Sequence, residues 1–190
     1  MQMKGKGFTL IELLIVIGIL AVLATITILV LNPAQLFAQG RDSQRITDLG
    51  AVRSAISLYL ATVSSPDMDE GGGACGTNYW STITGSTEGF TGTPTLDASH
   101  GQEVDGAGWI PITFSDVTGG SPLAALPHDP SNTTALNYQY QCNDTAKTFE
   151  LNAIMESTRY ASGGDDDVES TDGGDNDNIY EIGSAPGLAL

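Results

Sequence analysis

From Phe8 to Leu31 the chain carries one charged residue, Glu12, in twenty-four positions, and seventeen of them are Leu, Ile, Val or Phe. The run has no polar face. A helix that is apolar all round needs lipid or other helices around it. At about 1.5 Å per residue it spans about 36 Å, enough to cross a hydrocarbon core of about 30 Å. At roughly 0.3–0.6 kcal/mol for each large apolar side chain, insertion gains about 5–10 kcal/mol, of which Glu12 offsets only part. An intramembrane carboxylate is costly and seeks a partner. Asn32-Pro33 ends the run. Proline removes a hydrogen bond and clashes with the carbonyl four residues back, here Leu29, so a kink or a loosened turn is predicted there.

Beyond the proline the period changes. Ile46, Leu49, Val52, Ile56, Tyr59 (or Leu60) and Val63 recur every three or four residues, and Arg41, Asp42, Arg45, Asp48 and Arg53 are assigned to the opposite face. This predicts an amphipathic helix that packs one side against a head and frays near Ser64-Ser65-Pro66. From Asp67 to Gly108 the periodicity is lost in a Gly-, Thr-, Ser- and Asp-rich excursion, with one or two short strands expected near Tyr79–Ile83. Loops of this length are functional or tied down covalently. Trp109 to Phe114 reads as a β-type run whose Pro111 argues for an edge strand. Tyr138, Tyr140 and Cys142 alternate, as do Phe149, Leu151, Ala153 and Met155. With a turn from Asn143 to Lys147 they predict a hairpin. Ile179 to Ile182 returns as a short strand.

At 190 residues the chain suits one domain plus an anchor. Lys4 and Lys6 precede the apolar run, which places the N-terminus in the cytoplasm and the bulk of the chain outside. An ordinary secretory signal would end in an A-x-A-like site after a shorter core. Here the small residue at a plausible cut is Gly7, ahead of the run, and cutting there removes both lysines while keeping the helix. The formal net charge of −16 then becomes −18. Such a surface argues against binding nucleic-acid backbone, which needs Lys and Arg. Copies of this chain repel one another, so any polymer contacts must be mainly apolar and come from the helix. Cys75 and Cys142 suit one disulfide in an exported head, with two free thiols as the other reading. Zinc would need more ligands.

The segment KGKG-FTLIELLIVIGIL resembles the class III signal of type IV pilins and type II secretion pseudopilins. The resemblance implies that a prepilin peptidase cuts after Gly7 and N-methylates Phe8, and that Glu12 neutralises the N-terminal amine of a neighbouring subunit during assembly. It implies an α+β fold. A long N-terminal helix, half transmembrane (8–33) and half amphipathic (34–63), packs on a small antiparallel sheet in an exported head (64–190), after a leader (1–7). WIPITF, LPHDP, NYQYQC and FELNAIMES resemble the C-terminal sheets of pilin-like proteins, LPHDP the Leu-Pro-x-Asp-Pro element of major pseudopilins. The implied partners are identical or homologous pilin subunits, the peptidase, an assembly platform and motor, and membrane lipid before assembly. The implied location is the cell membrane, then an extracellular filament. A structural subunit rather than an enzyme is expected.

Seven of the sixteen residues from Gly163 to Asn178 are Asp or Glu. Clustered carboxylates suit calcium, which takes six to eight oxygens, and the resemblance makes a C-terminal calcium loop relevant. Asp172, Asp175 and Asp177 are the candidates, with Asp165 to Asp167 solvated. The competing reading is a solvated acidic loop. No phosphate-binding glycine loop and no G-x-S-x-G occurs. His100 and His128 sit in polar or proline-flanked turns with no triad spacing. Two other classes stay open: a membrane-anchored extracellular binding or adhesion module that does not polymerise, and an anchored hydrolase using His100 or His128.

Overall fold

The computed structural model describes residues 7–86, 89–90, 95–97 and 101–190. Lys4, Lys6 and His100 lie outside them. Two helices, α1 (Leu10–Leu31) and α2 (Pro33–Thr62), precede five strands: β1 (Asn78–Ser81), β2 (Thr95–Asp97), β3 (Gln139–Asn143), β4 (Thr148–Ala153) and β5 (Tyr180–Gly183). The architecture is α+β and pilin-like. The chain divides into two compact units, Met1–Phe37 and Ala38–Leu190.

In the first unit, the helix breaks where the sequence predicts. Asn32 takes a left-handed conformation (φ 38°) and caps α1 by donating its N–H to the Ile28 carbonyl. Asparagine is one of the few residues with a side chain that tolerates this geometry. Pro33 then opens α2, where its missing N–H costs nothing because the first helical turn has no acceptor for it. Within α1, Thr25 and Thr27 donate their hydroxyls to the carbonyls of Ala21 and Leu23, both at 2.9 Å. These polar side chains are satisfied without water.

The second unit is built on the sheet, whose order is β2-β1-β3-β4-β5. The four strands β1, β3, β4 and β5 are antiparallel, and β2 joins the β1 edge in parallel. The predicted hairpin forms with Tyr140 opposite Leu151 and Cys142 opposite Phe149. β5 adds to it with Ile182 opposite Leu151. One sheet face carries Tyr138, Tyr140, Cys142, Phe149 and Leu151. It packs with Leu49, Val52, Ile56 and Tyr59 of α2 around Trp80 and Trp109.

Two expectations need correction. Trp109 to Phe114 is not a strand. Ile112 N–H turns back to the Ile110 carbonyl across Pro111, and Trp109, Ile110, Ile112 and Phe114 are all fully buried. A turn lets successive apolar side chains enter one core, which a strand's alternation would prevent. The second concerns α2. Asp42 and Arg45, assigned to the exposed face, are completely buried. The buried stripe runs Ala38, Asp42, Arg45, Leu49, Val52, Ala55, Ile56, Tyr59, so the charged pair occupies the core-facing positions at the N-terminal end of the head's helix.

Candidate functional site

The N-terminal unit presents the signal residues on a helix start. Phe8 is 89% exposed. Thr9 caps α1, its hydroxyl accepting from Glu12 N–H, while its own N–H and hydroxyl donate to Glu12 Oε2 at 2.8 Å. This reciprocal box holds the carboxylate at the very end of the helix, where the partial positive charge of the free N–H groups favours it. Gly7, Phe8 and Glu12 are therefore neighbours around one helix end. The large apolar side chains of α1 described in the structure are all exposed, from 49% to 83%. One helix among the described residues is long and apolar enough to cross a membrane.

The head holds a second charged group, which sequence reasoning missed. Arg45 donates through Nη1 to Asp42 at 2.7 Å, through Nε and Nη2 to Asp129 at 2.6 and 2.9 Å, and through Nη2 to Glu156. Arg41 donates to Glu156 from Nε and Nη2. The lone pairs left over are used. Asp42 accepts the N–H groups of Glu156 and Ser157, and Asp129 those of Ser131 and Asn132. Arg41 foremost, with Arg45 and Ser131, holds the Glu156 carboxyl down to about 2 against its burial. For Arg45, burial opposes the charge, but Asp129 and Glu156 raise its pKa further above the usual arginine range. The network welds α2 to the LPHDP loop and to the chain leaving β4. Its one sequence signal was the i, i+3 pair Asp42 and Arg45 continuing the apolar stripe backwards.

The opposite sheet face is polar yet also buried. Gln139, Gln141, Glu150, Asn152 and Glu181 are each 4% exposed or less. Asn152 donates to Glu150 at 2.8 Å and to the Gly89 carbonyl, Leu190 N–H to Glu150, and Asn176 N–H to Glu181. Among the described residues no Lys or Arg bridges to either glutamate. Burial first, then the charge of Glu181, pushes Glu150 up to about 8. Burial, then Asp175 and Asp172, pushes Glu181 up to about 7.

Cys75 and Cys142 are disulfide-bonded, with Cα atoms 4.8 Å apart. The bond ties the excursion after α2 to β3. Asp69 shapes the approach by accepting the N–H groups of Ala74 and Cys75.

In the acidic loop the carboxylates have separate duties. Asp172 accepts the N–H groups of Gly174 and Glu181 at 2.8 and 2.6 Å. Asp166 pairs with Arg159, Asp167 accepts from Gly163 and Ser170, and Glu169 from Met155 and Ser162. Asp175 and Asp177 are exposed. Among the described residues no three His, Cys, Asp or Glu side chains converge on a metal-sized site. Asp172, Asp175 and Asp177 do not form such a group. His128 has its Nε2 buried, and among the described residues no hydroxyl donates to that nitrogen.

Residues 2–28 match the prokaryotic N-terminal methylation motif. No curated protein and no solved structure matches the chain.

Proposed function

We propose that this chain, a precursor carrying the methylation motif characteristic of type IV pilins and pseudopilins, is a structural subunit of a type IV pilus or a type II secretion pseudopilus. The supporting observation is α1, an apolar helix exposed on every side whose single carboxylate is held at its N-terminal end. In the membrane, lipid covers that surface. In a filament, neighbouring copies of the helix replace it. Cleavage after Gly7 by a prepilin peptidase frees the amine of Phe8, which is then methylated and remains positive. Glu12 of one subunit meets that amine on another as the platform and motor lift the helix out of the bilayer. In a low-dielectric bundle an unmatched carboxylate is heavily penalised, so the pairing selects one axial register. The head stays outside the cell, closed by its disulfide.

The test is material sheared from the cell surface, imaged for filaments and analysed for its N-terminal peptide. Filaments whose chain begins at methylated Phe8 are expected, and Glu12→Ala cells should insert and cleave the precursor but yield few filaments. Cleaved chain that stays monomeric in the membrane would overturn the filament reading and favour an anchored binding module.

A further inference from the structure

We infer that Arg53 is the docking point on each head for the acidic loop of a second copy of this chain, an inference that rests on the filament reading. Without the leader lysines, five cations face 23 carboxylates. Four are neutralised inside their own subunit: Arg41 and Arg45 by Glu156, Asp42 and Asp129, Lys147 by Asp144, and Arg159 by Asp166. Among the described residues Arg53 is the remaining cation of the head, exposed and in none of those ion pairs. It lies in an open groove of about 500 Å³ lined by Gly50, Arg53, Ser54, Ser57, Tyr180 and Ile182. Among the described residues no acidic side chain lines that groove. On so acidic a molecule it is a positive notch.

The complementary surface is on the same chain. Four of the seven carboxylates between Gly163 and Asn178 are used in folding that loop, as described above. Asp165 lies in the field of Arg159, which partly compensates it. Asp175 and Asp177 are left exposed on a loop whose backbone is fixed by Asp172 and Glu181. The notch and the two free aspartates are different residues, so a subunit can offer its notch to one neighbour and its loop to another, the head-to-tail arrangement that a filament requires. It also relieves the mutual repulsion of heads bearing a large negative charge.

The experiment compares sheared filament yield from wild type, Arg53→Glu, Asp175→Lys with Asp177→Lys, and all three changes combined. Like charges facing each other across an interface are strongly disfavoured, so each reversal should lower the yield at least about tenfold and the combination should restore it. In filaments of a chain with Arg53→Cys and Asp175→Cys, oxidation should give intermolecular ladders. Undiminished yield from Arg53→Glu, or cross-links confined within single chains, overturns the inference while wild-type filaments leave the filament reading standing. Absence of wild-type filaments overturns the filament reading itself. Arg53→Glu subunits should keep the Cys75–Cys142 bond, which separates lost docking from lost folding.

Discussion

Arg45 grips Asp129 with both sides of its guanidinium, Nε to Oδ2 at 2.6 Å and Nη2 to Oδ1 at 2.9 Å, across 84 positions of sequence. Its third nitrogen holds Asp42 on its own helix. Replacing such a buried group by apolar residues is often neutral, whereas removing one member strands the others. Its contacts join α2 to the LPHDP loop, and removing a single member is the change that exposes their worth.

Arg45→Ala should lower the stability of the head by about 3–5 kcal/mol, because Asp42 and Asp129 remain buried without their cation. Arg45→Lys should recover only part, since an ammonium cannot bridge two carboxylates in a fixed plane. Urea unfolding of the mature protein in detergent, followed by the fluorescence of buried Trp80 and Trp109, measures both. An unchanged midpoint for Arg45→Ala would contradict the assignment.

The buried glutamates give a pH dependence with a definite sign. Glu150 and Glu181 keep protons in the folded head up to about 8 and about 7, whereas the unfolded chain loses them near 4.5. Between those limits the folded state binds more protons, so stability falls as pH rises. Burial also raises the carboxyls of Asp48, Glu169 and Asp172, adding to the slope. Glu156, held down to about 2, works the other way: its contribution is present above 4.5 and is lost as pH falls through 2. The melting temperature should be higher at pH 5 than at pH 8.5, and Glu150→Gln with Glu181→Gln should make that difference smaller. A melting temperature that rises from pH 5 to pH 8.5 would refute this.

Loss of the disulfide closing the 67-residue separation should cost about 4 kcal/mol by the chain-entropy estimate. Cys75→Ser with Cys142→Ser should therefore unfold at lower urea. It should also become sensitive to protease between Asp67 and Gly108, where the bond ties the excursion to β3. Equal protease resistance in the two proteins would show that Asp69 and the buried Met68 suffice.

Calcium separates the two readings of the acidic loop. Asp172 already serves two backbone N–H groups, and Asp175 and Asp177 do not converge with it. Calcium and magnesium should thus raise the melting temperature equally, through screening of crowded carboxylates. A calcium-selective rise that Asp175→Ala removes would establish a site.

The parts of the fold that were legible in the sequence are those set by near neighbours. The Asn32-Pro33 break, the 138–155 hairpin and the short strand at Tyr180–Gly183 follow from local chemistry and period. What stayed hidden depends on distant partners. Asp42 and Arg45 look like solvent-facing charges until Asp129 and Glu156 arrive from the far end of the chain. Trp109 to Phe114 has strand composition, but its fate is set by Pro111 and by a core that takes side chains from consecutive positions. Thr95–Asp97 has no alternation to betray a parallel edge strand. Arg53 becomes distinctive only once every other cation of the head has been assigned a carboxylate.

The break at Asn32 also acts as a depth gauge. At this turn α1 ends, and the carbonyls of a helix's last turn have no donor within the helix, which is costly where they face lipid. Water at the membrane surface supplies such donors, which favours a depth at which the hinge stays wet. On the anchored-precursor reading proposed above, the turn would lie at the membrane surface and the stretch from Phe8 to Leu31 would rest in hydrocarbon, giving every copy the same height.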